Sequence, residues 1–122
     1  MTENPNTKRV FDLEERTLRF ALRVRLFIKK LPGTTANIED GKQLIRASGS
    51  VGANYIEANE SLSKKDFHYR IKVCLKESKE SAYFLRLIKE NNSTHYTKEA
   101  EILLTEANEL KRIFASILER SK

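Results

Sequence analysis

The sequence predicts an all-α protein, folded as an antiparallel up-down-up-down four-helix bundle. Three observations predict it. Apolar residues recur at helical spacing through four long segments. Clusters of turn-forming residues separate those segments, at Leu31-Pro32-Gly33-Thr34-Thr35, Ser61-Leu62-Ser63 and Asn91-Asn92-Ser93-Thr94. The 122 residues include only 4 glycines and 2 prolines, too few for the many turns of a β-sandwich. Leu, Ile, Val and Phe recur along the whole chain, which argues against disorder. One domain is expected, with residues 1–10 as a polar N-terminal tail and residues 11–122 as the bundle.

The first helix is expected over about residues 12–31. Leu13, Phe20, Ala21, Val24, Phe27, Ile28 and Leu31 form one apolar stripe, and Leu18, Leu22 and Leu26 a second row beside it. Asp12, Glu14 and Glu15 lie at the expected start and Lys29 and Lys30 at the end, an order that suits the helix dipole. The second helix is expected over about residues 38–60, with Gly41, Leu44, Ile45, Ser48, Val51, Gly52, Tyr55, Ile56 and Asn59 facing inward. Gly49 and Gly52 stand in its interior, where each costs about 1 kcal/mol relative to alanine. Close approach of a neighbouring backbone explains such a pair. A phosphate-cradling loop explains it less well, because Gly49-Ser50-Val51-Gly52 lacks the P-loop spacing.

The third helix opens on Ser63-Lys64-Lys65-Asp66, a capping-box pattern, and runs to about residue 90. Phe67, Ile71, Cys74, Leu75, Ser78, Ala82 and Leu85 make one stripe; Tyr69, Val73, Phe84, Leu87 and Ile88 make another. The fourth helix is expected over about residues 97–119. Leu103, Ala107, Leu110, Phe114 and Ile117 alternate by four and three, widened by Leu104, Ile113 and Leu118. Long helices with short connections pack as an antiparallel bundle. The first and third helices carry more apolar rows than the inside of a small bundle consumes. Exposed apolar surface of that kind marks an interface, so a closed homo-oligomer is expected.

Chemistry is sparse. Neither His68 nor His95 follows a Glu by three positions, so the Glu-x-x-His pairs of di-iron bundles are absent. Two histidines and one cysteine are too few for a usual structural zinc site, and no metal or cofactor is expected. Both histidines read as surface residues and Cys74 as a small core residue. A lone cysteine also argues against a disulfide scaffold and fits a reducing compartment, so a cytoplasmic protein is expected. No serine sits in a G-x-S-x-G elbow. Glu57, Glu60, Glu77 and Glu80 are the carboxylates a paired-acid site would use. They read equally well as helix-surface charges, with Glu77 and Glu80 salt-bridged among Lys76 and Lys79. No enzymatic activity is expected. No apolar run is long enough to span a membrane, and the N-terminus lacks the apolar stretch of a signal peptide.

Charge says more. Lys and Arg number 23 against 17 acids, a net charge of +6. The excess gathers on two helices. Arg16, Arg19, Arg23 and Lys30 share one face of the first, and Lys65, Lys72, Lys76 and Lys79 one side of the third. The fourth helix is close to balanced or acidic. These eight cations are the candidate nucleic-acid contacts, through sequence-independent neutralisation of phosphates. A solvated helix face is the plainer account of the same pattern. No helix-turn-helix, zinc-finger or RNP signature points to reading of bases.

The segment from Gln43 to Leu87 resembles a known family. Gln43, Leu44, Arg46, Ser50, Val51, Ala53, Asn54, Ile56, Glu57 and Ala58, then Ser63, Asp66, Phe67, Leu75 and Glu77, match the pattern of proteins encoded in intervening sequences of bacterial 23S rRNA genes. The resemblance extends over nearly the whole chain, although Cys74 and Ser78 stand where the family often has alanine or another small residue. It implies a four-helix bundle assembled as a ring-like homopentamer. Related members, accessory proteins of diversity-generating retroelements, bind a reverse transcriptase and nucleic acid. RNA and a reverse transcriptase-like protein are therefore the partners it implies, and a protein-interaction scaffold with no nucleic-acid role is the alternative. Arg46, Asn54 and Glu57 carry over as structural motif positions. Arg46 is expected to pair with an acid, and Asn54 and Glu57 to bond neighbouring helices or subunits.

Overall fold

The computed structural model describes the backbone of residues 5–122 and the side chains of residues 13–122. Four helices follow one another: α1 (Pro5–Lys30), α2 (Thr35–Asn59), α3 (Lys64–Asn91) and α4 (Thr97–Arg120), with a 3-10 turn at Thr94–Tyr96 before the last. They pack side by side, α1 on α2, α2 on α3 and α3 on α4, and a thinner α1–α4 seam closes the bundle. The connections are short, so successive helices run antiparallel.

Local chemistry sets the helix ends. Thr34 Oγ1 accepts from the Asn37 amide at 3.2 Å and caps α2. Ser63 Oγ accepts from the Asp66 amide at 3.0 Å and caps α3, the expected half of its capping box. Where α2 starts and α3 ends, Asn37 and Asn92 exchange side-chain amide bonds of 2.9 and 2.8 Å. Asn37 also donates to the Pro32 carbonyl at 2.9 Å, which fixes the first connection.

One boundary differs from expectation. α1 begins at Pro5 rather than near residue 12. Proline suits a first helical position, since its missing N–H is one that no helix start can satisfy. Asp12, Glu14 and Glu15 therefore lie inside the helix and not in its first turn, whereas Lys29 and Lys30 do occupy the last. Residues 1–4 of the expected tail lie outside the described residues.

The core lies where the stripes converge. Leu13, Phe20, Val24 and Phe27 of α1 meet Leu44, Val51 and Tyr55 of α2, Ile71, Cys74, Leu85 and Ile88 of α3, and Leu103, Leu110 and Phe114 of α4. Small residues are buried on both α2 and α3, and the Cys74 thiol reaches the Val51 carbonyl between them at 3.4 Å. Ala47, Ser48, Cys74, Ser78 and Ser81 are all buried. The Ser78 and Ser81 hydroxyls donate to the carbonyls four residues back, at 2.8 and 2.9 Å, so these buried hydroxyls are satisfied. Burial pushes the Cys74 thiol up to about 12, which makes it an inert core group. Gly52 is where α1 and α2 press together: a Cβ there would lie 2.8 Å from Thr17 Oγ1. Gly49, one turn earlier, faces only the end of Arg25. Ile56 and Asn59 were expected to face inward and instead lie exposed, on the flanks of α2.

Candidate nucleic-acid interface

The cations of α1 do share one flank, but that flank turns toward α4. Arg16 forks onto Glu106, with Nε to Oε2 at 2.7 Å and Nη2 to Oε1 at 2.8 Å. This bidentate geometry matches guanidinium to carboxylate and pushes the Arg16 pKa further up. Two turns on, Arg23 Nε donates to Glu99 Oε1 at 3.1 Å. The acids are two turns apart in the opposite direction, which is the antiparallel register of α1 and α4. Arg19 is exposed and lies 3.5 Å from Glu15 on its own helix. Lys30 is exposed and has no salt bridge among the described residues. Three of the four expected contacts on α1 thus already hold carboxylates. Sequence periodicity finds the shared flank but not its partner helix.

α3 differs. Lys65, Lys72, Lys76 and Lys79 lie off the buried stripe of Ile71, Cys74, Ser78 and Leu85, toward solvent. No salt bridge holds any of them among the described residues. Along the axis they span roughly 20 Å, at 1.5 Å per residue. Tyr69 and Tyr83 stand on the same face, 60% and 61% exposed. Such a row of ammonium groups on one helix face has the charge and spacing that sequence-independent phosphate neutralisation requires.

A second polar cluster joins α2 to α3. Arg46 Nη1 donates to Glu77 Oε2 at 2.8 Å and Nη2 to Glu80 Oε2 at 2.6 Å. Glu77 is buried, contrary to its expected place among the surface charges, and its partner is Arg46 rather than Lys76 or Lys79. Burial raises the Glu77 pKa. Glu80 is held below the usual carboxylate range, first by hydrogen bonding with Glu77, then by Arg46, with a smaller contribution from the Lys76 charge. The signal for Glu77 was present: it falls three residues after Cys74 and four before Ser81, in phase with the buried stripe. Farther along the seam, Asn54 Oδ1 accepts from Arg70 Nη1 at 2.9 Å, and its amide donates to the Ser50 carbonyl at 2.9 Å. Glu57 was expected to bond a neighbouring helix or subunit. Its side chain is exposed and makes no bond among the described residues.

The second apolar row of α1 is left over by the fold. Leu18, Leu22 and Leu26 are 52%, 52% and 58% exposed, on the side of α1 away from Leu13, Phe20, Val24 and Phe27. With Gly49, Gly52 and Ile56 of α2, Leu18 and Leu22 line a cleft of about 310 Å3. The second row of α3 is split: Tyr69 and Leu87 are exposed, whereas Ile88 is buried in the core. His68 Nδ1 lies 3.1 Å from Ser121 Oγ, and His95 is exposed against the Tyr96 ring. Among the described residues, no three His, Cys, Asp or Glu side chains group to hold a metal ion. No described helix is long and apolar enough to cross a membrane.

Comparison with known proteins decides the family. The family described as 23S rRNA-intervening sequence protein matches residues 11–116. This chain belongs to it. A crystal structure from the S23 ribosomal protein family, a Bacteroides thetaiotaomicron protein of unknown function, is similar at 27% identity and a TM-score of 0.78. The match covers 90% of this chain and 97% of that one. No curated protein matches. In this member of the intervening-sequence family, two of the three motif positions have structural work within the chain. Arg46 and Asn54 tie α2 to α3, and Glu57 faces outward.

Proposed function

We propose that this intervening-sequence protein is a non-enzymatic bundle that contacts RNA through the outward face of α3 and assembles with copies of itself. The observation that carries the RNA contact is the contrast in salt bridging. Arg16, Arg19 and Arg23 hold carboxylates, while Lys65, Lys72, Lys76 and Lys79 hold none among the described residues. Lysines on one rigid face can meet phosphate oxygens without first breaking ion pairs. Assembly would repeat the face and add to its field. A cytoplasmic setting fits a chain with one inert, unpaired cysteine.

A second observation supports self-association. Leu18, Leu22 and Leu26 form an apolar row outside the core, beside a glycine-floored cleft. Ring closure by five copies, which the family resemblance implies, is the assembly we expect.

The test of RNA contact is binding of a fluorescent structured RNA across a salt series, with protein freed of co-purified nucleic acid. The expected result is a steep linear fall of log affinity with log salt. Replacing Lys72 and Lys76 by Gln should flatten that slope by about 0.7–0.9 for each phosphate no longer neutralised. Absence of binding at about 0.15 M salt would reject RNA contact and leave a protein-binding scaffold as the function. For assembly, native mass spectrometry should give a multiple of the single-chain mass, and Leu22→Glu should reduce it to a monomer. A wild-type monomer at micromolar concentration would reject assembly.

A further inference from the structure

We infer that the α3 face takes an unpaired RNA strand, with Tyr69 and Tyr83 as platforms on which bases stack. The inference rests on the proposed RNA contact and specifies its substrate class.

Lys65, Tyr69, Lys72, Lys76, Lys79 and Tyr83 follow one another in steps of four and three, so the two rings and four ammonium groups form one line on α3. Both rings are mostly open to solvent, at 60% and 61%, whereas Tyr55 is buried in the core. Each is supported from one side. The Arg70 guanidinium lies 5.7 Å from the Tyr69 centroid, and Asn54 holds that guanidinium from α2 at 2.9 Å. Tyr83 and the half-buried Phe84 ring make a T-shaped contact, with centroids 5.3 Å apart at 80°. A ring held by a neighbour anchored in the bundle has fewer orientations to lose when a base stacks on it. The two platforms are about 21 Å apart along the helix, with three lysines between them.

This arrangement fits a single strand better than a duplex. In an RNA duplex the base faces are stacked on one another, and the convex side of a helix meets only sugar and phosphate. Two exposed phenol rings would contribute little there. On an unpaired strand, each ring stacks a splayed base while the lysines between them meet the intervening phosphates. Every base has a face to stack, so the contact needs no sequence signature, and none is present.

The test compares fluorescein-labelled oligouridylate of about twelve nucleotides with a blunt RNA duplex of equal length, by anisotropy at fixed salt. Wild type should bind the single strand more tightly. Tyr69→Leu/Tyr83→Leu should weaken single-strand binding about tenfold or more and leave duplex binding unchanged, and Tyr69→Phe/Tyr83→Phe should restore it. The chain has 4 tyrosines and no tryptophan, so oligouridylate should also quench tyrosine emission, and the leucine variant should lose most of that quenching. If the leucine variant binds the single strand as wild type does while Lys72→Glu/Lys76→Glu abolishes binding, stacking is wrong and the basic-face contact stands. If the lysine reversal also leaves binding intact, both fail. Duplex binding equal to single-strand binding in wild type would likewise overturn the inference.

Discussion

The outer flanks of α1 and α3 look alike in sequence and have opposite fates. Each carries four basic residues at helical spacing beside an apolar row. On α1, Arg16 and Arg23 meet Glu106 and Glu99 of α4 and close the thinnest seam of the bundle. On α3, Lys65, Lys72, Lys76 and Lys79 face outward and hold no salt bridge among the described residues, whereas Lys89, farther along, pairs with Glu101 of α4. A basic helix face is thus paired within the fold or left open to solvent depending on what the next helix presents. Residue type follows the same division. Arginine, with its planar fork, holds the α1–α4 pairs, and lysine, a mobile point charge, covers the outward face of α3.

That comparison can be sharpened by stability measurements, beginning with the seams that hold the two flanks in place. The largest loss is expected for Glu77→Ala, about 2–3 kcal/mol by chemical denaturation. It removes a buried carboxylate from Arg46 and leaves a cavity between α2 and α3. Gly52→Ala should cost about 1–3 kcal/mol even after the gain in helix propensity, because its Cβ would meet the rigid, buried Thr17 at 2.8 Å. Gly49→Ala should be neutral or stabilise by up to about 1 kcal/mol, since the flexible end of Arg25, 3.2 Å away, can move aside. Arg16→Ala should cost about 1 kcal/mol, because the fork to Glu106 is good but half exposed. Lys72→Ala should fall within about 0.5 kcal/mol of wild type. Equal losses for Arg16→Ala and Lys72→Ala would erase the distinction between the two flanks.

Much of the fold is legible in the sequence, for local reasons. The Ser63 cap, the three breaks, the inert core cysteine and the leftover leucine row of α1 follow from spacing within one helix. What spacing cannot give is the register between helices. Arg16 and Arg23 read as free cations until Glu106 and Glu99, far along the chain, come opposite them. Glu77 reads as a surface charge because Lys76 and Lys79 flank it, although its phase with Cys74 and Ser81 places it inside. The reciprocal Asn37–Asn92 bond has no local signature at all. The α3 face is legible as charge, and the exposure of Tyr69 and Tyr83 beside it becomes visible only once both rings are seen outside the core.

The most direct measurement is a paired neutralisation read by RNA binding across a salt series. Lys72→Gln/Lys76→Gln is compared with Arg19→Gln/Arg23→Gln, with folding of both checked by thermal melting. A weaker affinity and a flatter salt slope are expected for the α3 variant, with wild-type affinity and slope for the α1 variant. A loss confined to the α1 variant, while its melting stays at the wild-type value, would contradict it.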